Sequence, residues 1–397
     1  MNNFPKLFIC IGDYKITIIV VHINEKDNFE ILKKIFLPLD GISENKITDI
    51  EKITILIKKN ILLIEQKINH TFKDLILILD NLETSFLNLS SFKKLNGTQI
   101  SKENITYILN SLKSCVDNIE KQKKIVHIFN SEFCLDRKKI DNLPIGLFGD
   151  VYSHELSFIL LNQNDYKNLK LIFQKCNLKI KKILADSFLK GSHISNLYSK
   201  INTFYYIQIN TSNCKIIYVK NDSIIFEQKF KFGTEIVEKD ISKIISIKLD
   251  VVKNIIENNS VIEKVQDKEL IEKDYFINQH FRKIKKKTIV EIAKARIIEL
   301  AEIIYLRNIN FQETSNKVKS IFLEISDPKH LKCFQNIYSS CFSNDKKFEV
   351  EIFHENKFEE VLKTANQIVD FGWKKEAIPV TKETGSYISR VFRSIFN

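Results

Sequence analysis

Glycine and proline are scarce, nine and five in 397 residues, which excludes long flexible linkers and leaves regular secondary structure as the default reading. No window holds eighteen uncharged apolar residues, so no helix is expected to cross a bilayer, and any membrane contact would be peripheral. The apolar run Phe8–Val21 is interrupted by Asp13 and Lys15, too short on either side for a secretion signal. The seven cysteines (Cys10, Cys115, Cys134, Cys176, Cys214, Cys333 and Cys341) are odd in number and never form C-x-x-C. They read as free thiols of a reducing cytosol, not as disulfides or zinc ligands.

Catalytic signatures are missing too. The eight histidines, His70, His154 and His193 among them, stand nowhere in H-E-x-x-H or i,i+4 spacing, so no metal site is expected. Neither a G-x-S-x-G elbow nor a Walker loop occurs. Asp80, Asp150 and Asp186 lie beside turns, where aspartate usually caps or turns the chain. No catalytic residue is assigned. The net charge of +12 accompanies heavy use of Ile, Lys and Asn throughout, the mark of AT-rich codon bias, and nucleic acid is not an expected partner.

What is present is an alternation of strands and helices in a chain of globular composition, 44% hydrophobic and 28% charged. Lys6–Ile11, Lys15–Val21 and Phe29–Pro38 read as strands, the first two joined by a turn at Gly12-Asp13-Tyr14. Ile53, Ile57, Ile61 and Ile64 give Ile50–Ile68 a helical period. Asp74–Asp80 is a short unbroken apolar run, as in a strand buried on both faces. The order then returns: Tyr205–Ile209, Cys214–Val219 and Ser223–Phe232 as strands, Glu235–Ile247 as helix and Ser320–Ile325 as a buried strand. A helix at Leu331–Phe342, a strand at Phe348–His354 and a helix at Phe358–Phe371 follow. Between the halves, strands at Thr84–Leu89, Ile125–Phe129 and Tyr152–Leu161 with a helix at Asn104–Ile119 form a unit of different character. The pattern predicts a duplicated α/β fold with a small α+β insertion.

The letters add a resemblance. His127, Phe133, the turn Asn142-Leu143-Pro144-Ile145-Gly146 with Gly149, and Cys176-Asn177-Leu178 resemble the middle region of the bacterial cell-division FtsA family. Phe232-Gly233-Thr234, Thr288-Ile289-Val290-Glu291 with Arg296, and the tail Gly385-Ser386-Tyr387-Ile388-Ser389-Arg390 continue it over essentially the whole chain. The resemblance implies a duplicated actin-like (ribonuclease H-like) fold, with an inserted SHS2-like subdomain and a C-terminal amphipathic helix. It divides the chain into 1–81 and 163–200 (first actin-like subdomain), 82–162 (insertion), 201–374 (second half with the partner-binding subdomain), 375–384 (linker) and 385–397 (amphipathic helix). It implies a scaffold that polymerises with itself, tethers the tubulin-like polymer FtsZ to the inner face of the cytoplasmic membrane at the division site, and meets other division proteins. The alternatives are an actin-like assembly scaffold of a pilus or secretion system, the PilM type, and a divergent actin-fold ATPase or kinase.

Actin-like ATPases wrap phosphates with two glycine-bearing hairpin turns that also bring carboxylates, and approach the adenine with a loop of small residues. Here the first turn reads Cys10-Ile11-Gly12-Asp13-Tyr14-Lys15, with Cys10 in place of the leading carboxylate. The second reads Gln208-Ile209-Asn210-Thr211-Ser212-Asn213, without glycine or carboxylate, and the third Leu323-Glu324-Ile325-Ser326-Asp327. All three have lost their chemistry, so ATP is expected to bind weakly at most and hydrolysis is not expected.

Two further features read as interaction sites. Tyr387, Ile388, Val391, Phe392, Ile395 and Phe396 fall on one helical face, with Arg390 and Arg393 opposite, the pattern of an interfacial helix on an anionic membrane. The basic run Arg282–Lys287 leads into a helix from Thr288. By resemblance, Lys285, Lys287 and Arg296 would receive the acidic, apolar C-terminal tail of FtsZ.

Overall fold

The structure, a computed structural model, describes residues 4–23, 29–43, 46–80, 82–258, 268–276, 279–311, 314, 317–344, 346–353 and 358–377. It divides into two compact units: Met1–Leu197 with Asn221–Ile225 and Phe358–Asn397, and Tyr198–Lys220 with Phe226–Lys357.

In the first unit, β1 (Lys6–Ile11) and β2 (Ile16–Ile23) pair antiparallel, and β3 (Phe29–Leu37) joins the far edge of β2. A two-residue hairpin, β4 (Ile42–Ser43) and β5 (Lys46–Ile47), leads into α1 (Ile50–Ile68). Asp49 caps α1 by accepting from the Lys52 amide, and Asn69 ends it in the left-handed region at φ 54°. The helix buries Ile53, Ile57, Ile61 and Ile64 against the sheet, each worth about 2 kcal/mol gross. β6 (Asp74–Leu79) then lies parallel to β1.

The insertion follows β6. Its strands β7 (Thr84–Lys94), β8 (Lys123–Leu135), β9 (Lys138–Ile140) and β10 (Val151–Asn162) form an antiparallel sheet in the order β7-β10-β8-β9. Ser101 caps α2 (Lys102–Ile119), which places Ile105, Ile108, Leu112 and Val116 in one core with Ile128, Tyr152, Leu156 and Phe158. The chain returns through α3 (Gln163–Lys175) to β11 (Lys179–Ala185), parallel to β6, and α4 (Asp186–Leu197). The finished sheet runs β11-β6-β1-β2-β3.

The second sheet repeats that order as β14-β13-β12-β15-β16, built from β12 (Phe204–Ile209), β13 (Cys214–Lys220), β14 (Ser223–Phe230), β15 (Ser320–Ile325) and β16 (Glu349–Phe353). β12 and β13 form the antiparallel hairpin, while β15 and β16 run parallel to β12 and to each other. Where one helix connects the third and fourth strands of the first unit, the second has α5 (Glu235–Ile245), α6 (Leu249–Asn258) and α7 (Lys286–Ala301), which passes into a π turn at Glu302–Leu306. α8 (Pro328–Ser343) joins β15 to β16.

Two of the expected boundaries are corrected. Helix α9 (Phe358–Phe371), assigned by sequence to the second half at 201–374, belongs to the first unit. Lys6 of β1 bonds Asp370 at 2.6 Å and Asn366 at 2.6 Å, and His193 Nδ1 of α4 meets Thr364 Oγ1 at 3.0 Å. The expected linker at 375–384 is also packed where it begins. Lys375–Ala377 lie along the edge of β8 that the short β9 leaves uncovered: the Asn130 amide donates to the Lys375 carbonyl at 2.8 Å and the Ala377 amide to that of Ile128 at 2.7 Å.

That strap carries a buried polar cluster. Glu376 Oε1 lies 2.9 Å from His127 Nδ1, and Glu376 Oε2 accepts from Lys182 Nζ at 2.8 Å. The Ala185 amide donates to His127 Nε2 at 3.2 Å, so Nε2 carries the lone pair and Nδ1 the proton that Glu376 accepts. Burial lowers the affinity of His127 for a second proton, against the opposing pull of Glu376. Burial pushes the Glu376 carboxyl up, but Lys182 and the imidazole hydrogen bond outweigh it and bring its pKa down to about 2. With His127 neutral, Lys182 is the charge that keeps Glu376 ionised.

The expected membrane-facing residues, Tyr387, Ile388, Arg390, Val391, Phe392, Arg393, Ile395 and Phe396, lie outside the described residues. Among those described, no helix is long and apolar enough to cross a membrane.

Candidate functional site

Each sheet carries one of the two expected nucleotide-binding turns at its first hairpin. In the first unit the turn is closed by its own backbone, the Gly12 amide donating to the Lys15 carbonyl at 3.1 Å. A Cβ at Gly12 would meet only that carbonyl oxygen, at an ordinary 3.4 Å, and its φ is not positive. The glycine is therefore not sterically required. Cys10 is half-buried, paired across the hairpin with Thr17, and its thiol stands where a carboxylate would be needed. Lys15 Nζ lies over the Phe36 ring of β3, 4.1 Å from its centroid, a cation–π contact.

The second unit's turn is covered. Its backbone also closes on itself, the Asn210 amide donating to the Asn213 carbonyl at 2.9 Å. The carbonyls of Asn210 and Thr211 then accept from the amides of Thr234 (2.9 Å) and Glu235 (3.0 Å) as the chain enters α5. This approach needs Gly233, where a Cβ would fall 2.1 Å from the Asn210 oxygen and 2.6 Å from that of Thr211. The Phe232-Gly233-Thr234 motif thus lays α5 onto the turn.

Side chains of the turn and of the β15 loop meet in one network. Gln208 Nε2 donates to Glu324 Oε1 at 2.9 Å, and the Tyr206 hydroxyl donates to Glu324 Oε2. Ser326 Oγ donates to Asn210 Oδ1 at 2.6 Å, and Asn210 Nδ2 to Asn213 Oδ1 at 2.7 Å. The Ser326 amide donates to the Ile209 carbonyl at 3.0 Å. Gln208 and Glu324 are both buried. Parallel pairing of β12 with β15 sets Gln208 opposite Glu324, which explains how positions 116 apart in sequence meet. Sequence reasoning named Gln208, Asn210, Glu324 and Ser326 but missed Tyr206, because its signal, an inward position two residues before Gln208, is shared by most strand residues.

The expected partner-binding residues separate. Lys285 precedes α7 and is exposed, with Leu270 bridged to it; Lys287 on the first turn is exposed too. Arg296 is turned to its own unit: its Nε donates to Asp240 of α5 and its Nη1 pairs with Glu299 at 2.7 Å. Its guanidinium ties α7 to α5.

No family profile matches the chain. It is 21% identical to the cell division protein FtsA of Buchnera aphidicola from Acyrthosiphon pisum over 311 residues, which are 77% of this chain and 73% of that one. To the FtsA of B. aphidicola from Baizongia pistaciae it is 23% identical over 316 residues, 78% of this chain and 73% of the relative. Among solved structures, the PilM-PilN type IV pilus biogenesis complex is similar at a TM-score of 0.55 and 10% identity, over 93% of this chain and 99% of that one. The duplicated sheets and these similarities together give the chain an actin-like fold, shared with the PilM structure, and a distant sequence similarity to FtsA proteins.

Proposed function

We propose that this chain is an assembly scaffold on the actin fold that works by recruiting protein partners, without turning over nucleotide. The observation that carries this reading is the Gln208–Glu324–Ser326–Asn210 network. The side chains that would greet phosphate and adenine in the second half-site bond one another, and Glu324 adds negative charge where a triphosphate would approach. Desolvating a carboxylate beside a polyanion costs more than the turn's remaining amides return. ATP is at most a weak ligand of such a site.

Two finer readings share this core. Likeness of fold over nearly the whole of both chains supports a scaffold of the PilM kind, which would engage a membrane-protein partner of a pilus or secretion system. The sequence relatives support an FtsA-type tether, in which Lys285 and Lys287 receive the FtsZ tail, residues 385–397 hold an anionic membrane, and the chain polymerises at the division site.

Thermal melting with and without saturating Mg-ATP tests the shared core, and no shift in midpoint is expected. A clear upward shift would overturn it. Fluorescence anisotropy with the C-terminal peptide of the same organism's FtsZ then separates the finer readings. The tether predicts binding that weakens when Lys285 and Lys287 are both changed to Glu, with less of the remainder sensitive to salt. Arg296 is left untouched, since its pairs to Asp240 and Glu299 would confound the result. A peptide that fails to bind leaves the PilM-type scaffold. Flotation with anionic vesicles, wild type against Phe392→Glu with Phe396→Glu, tests the tail by the same logic: the pair removes burial worth roughly several kcal/mol.

A further inference from the structure

A second polar cluster of the second unit lies outside the turn network. Glu238 on α5, and Asp327 and His330 at the start of α8, bring one carboxylate oxygen or imidazole nitrogen each to within 4.8 Å of one another. Their placement follows from the local fold. Gly233 allows α5 to start against the Asn210 turn, which sets Glu238 one turn in, on the buried face with Val237 and Ile241. Asp327 is the N-cap of α8, its Oδ1 accepting from the amides of Lys329 (2.9 Å) and His330 (3.5 Å), so the cap fixes the orientation of its carboxylate. Thr234 Oγ1 lies 3.5 Å from Asp327 Oδ2.

Glu238 is 5% exposed and His330 is fully buried, and His330 Nε2, 3.2 Å from Oε1, is the imidazole facing Glu238. Two lysines adjacent to these residues in sequence are paired with other carboxylates: Lys329 with Glu257, and Lys239 with Glu235 at 2.9 Å. Two other polar atoms here are buried without a hydrogen-bond partner, His330 Nδ1 and the Tyr338 hydroxyl. Burial first, and then the negative charge of Asp327 and Glu238 among others, raises the Tyr338 pKa above its ordinary value. A buried carboxylate is ordinarily matched by a cation or a metal ion.

We propose that Glu238, Asp327 and His330 form a binding site for one divalent first-row transition ion. Two carboxylates and one imidazole make a hard-to-borderline donor set that suits Zn²⁺, Mn²⁺ or Co²⁺ and disfavours Mg²⁺ and Ca²⁺, which take oxygen alone. The 3.2 Å between His330 Nε2 and Glu238 Oε1 matches the separation of about 3.0–3.4 Å between adjacent ligands bound at roughly 2.0–2.2 Å. Asp327 is only half-buried, which provides an entry side and room for water to complete the coordination. Bound there, the ion is structural: it staples α5 to α8, the helices that follow the two loops of the half-site.

The test uses the full chain, stripped with chelator and titrated with Co²⁺, followed by visible absorption and by melting temperature. One equivalent is expected to give d–d bands without a sulfur charge-transfer band, and to raise the melting midpoint. Asp327→Asn keeps the helix cap and is expected to weaken the apparent affinity by roughly tenfold or more; Glu238→Gln is expected to abolish binding. If Glu238→Gln does not fold, Asp327→Asn decides alone. Absence of bands and of any shift, a sulfur charge-transfer band, or binding unchanged in Asp327→Asn would each overturn the proposal, leaving the cluster a hydrogen-bonded pair beside a helix cap.

Discussion

The turn of the first unit and that of the second stand at the same place in sheets of the same strand order, yet they treat glycine oppositely. Gly12 sits inside the first turn, and nothing in its conformation or surroundings demands it. The second turn has no glycine of its own but depends on Gly233, twenty-odd residues on, because another segment's backbone lies against it. A glycine inside a turn can thus be sterically optional, while one outside it is the constrained position. Polar groups differ likewise. The second turn's side chains are drawn into a network with β15, whereas the first unit gathers a buried charged cluster from β8, β11 and the strap, at His127, Lys182 and Glu376.

The largest expected effect tests that last contrast. Glu376→Ala leaves Lys182 and His127 facing each other without the carboxylate and is expected to cost about 3 kcal/mol. Hydrogen exchange should show the loss in β8 and the strap, and not in β12–β15. Equal loss of protection in both units would erase the contrast.

Acid should act through the same cluster. His127 takes up its second proton less readily when folded than its ordinary value of 6.5 allows, so below about pH 6.5 the unfolded chain binds more protons and stability falls with pH. Glu376 adds a second loss as pH falls from about 4.5 toward about 2, worth about 3 kcal/mol when complete. Glu376→Gln should remove the lower part of the acid transition and keep the upper part. Denaturant titrations across that range check it, and a wild-type curve flat from pH 7 to pH 4 would contradict the assignment.

Gly233→Ala comes next. The new methyl meets backbone oxygens that cannot rotate aside, so about 1–3 kcal/mol is expected to be lost, with exchange quickening in α5 and the Asn210 turn. Gly12→Ala completes the pair as the smallest effect, within about 1 kcal/mol of neutral and on the stabilising side, because alanine narrows the unfolded ensemble. Comparable melting points for the two alanine variants would break the comparison outright.

Much of the fold was legible in the sequence. The edges of α1, α9, β1 and β15 follow from apolar period, because a strand or helix with one buried face must repeat at two or at 3.6. Repetition of the meander announced the second sheet. Local interactions are written locally. The letters of the three loops were visible for the same reason, since a missing glycine or carboxylate shows without a partner.

Tertiary structure alone decided where α9 and the strap belong, for their periodicity records a buried face and not what buries it: Lys6 against Asp370, and β8 against Lys375–Ala377, are meetings of segments more than two hundred residues apart. It alone showed that Arg296 ties α7 to α5 through Asp240, because a cation's ion pair is set by the nearest carboxylate in space. And it alone gathered Glu238 with Asp327 and His330, a set with no spacing motif, since two helices from opposite ends of the second unit contribute it and only their packing makes the donors converge.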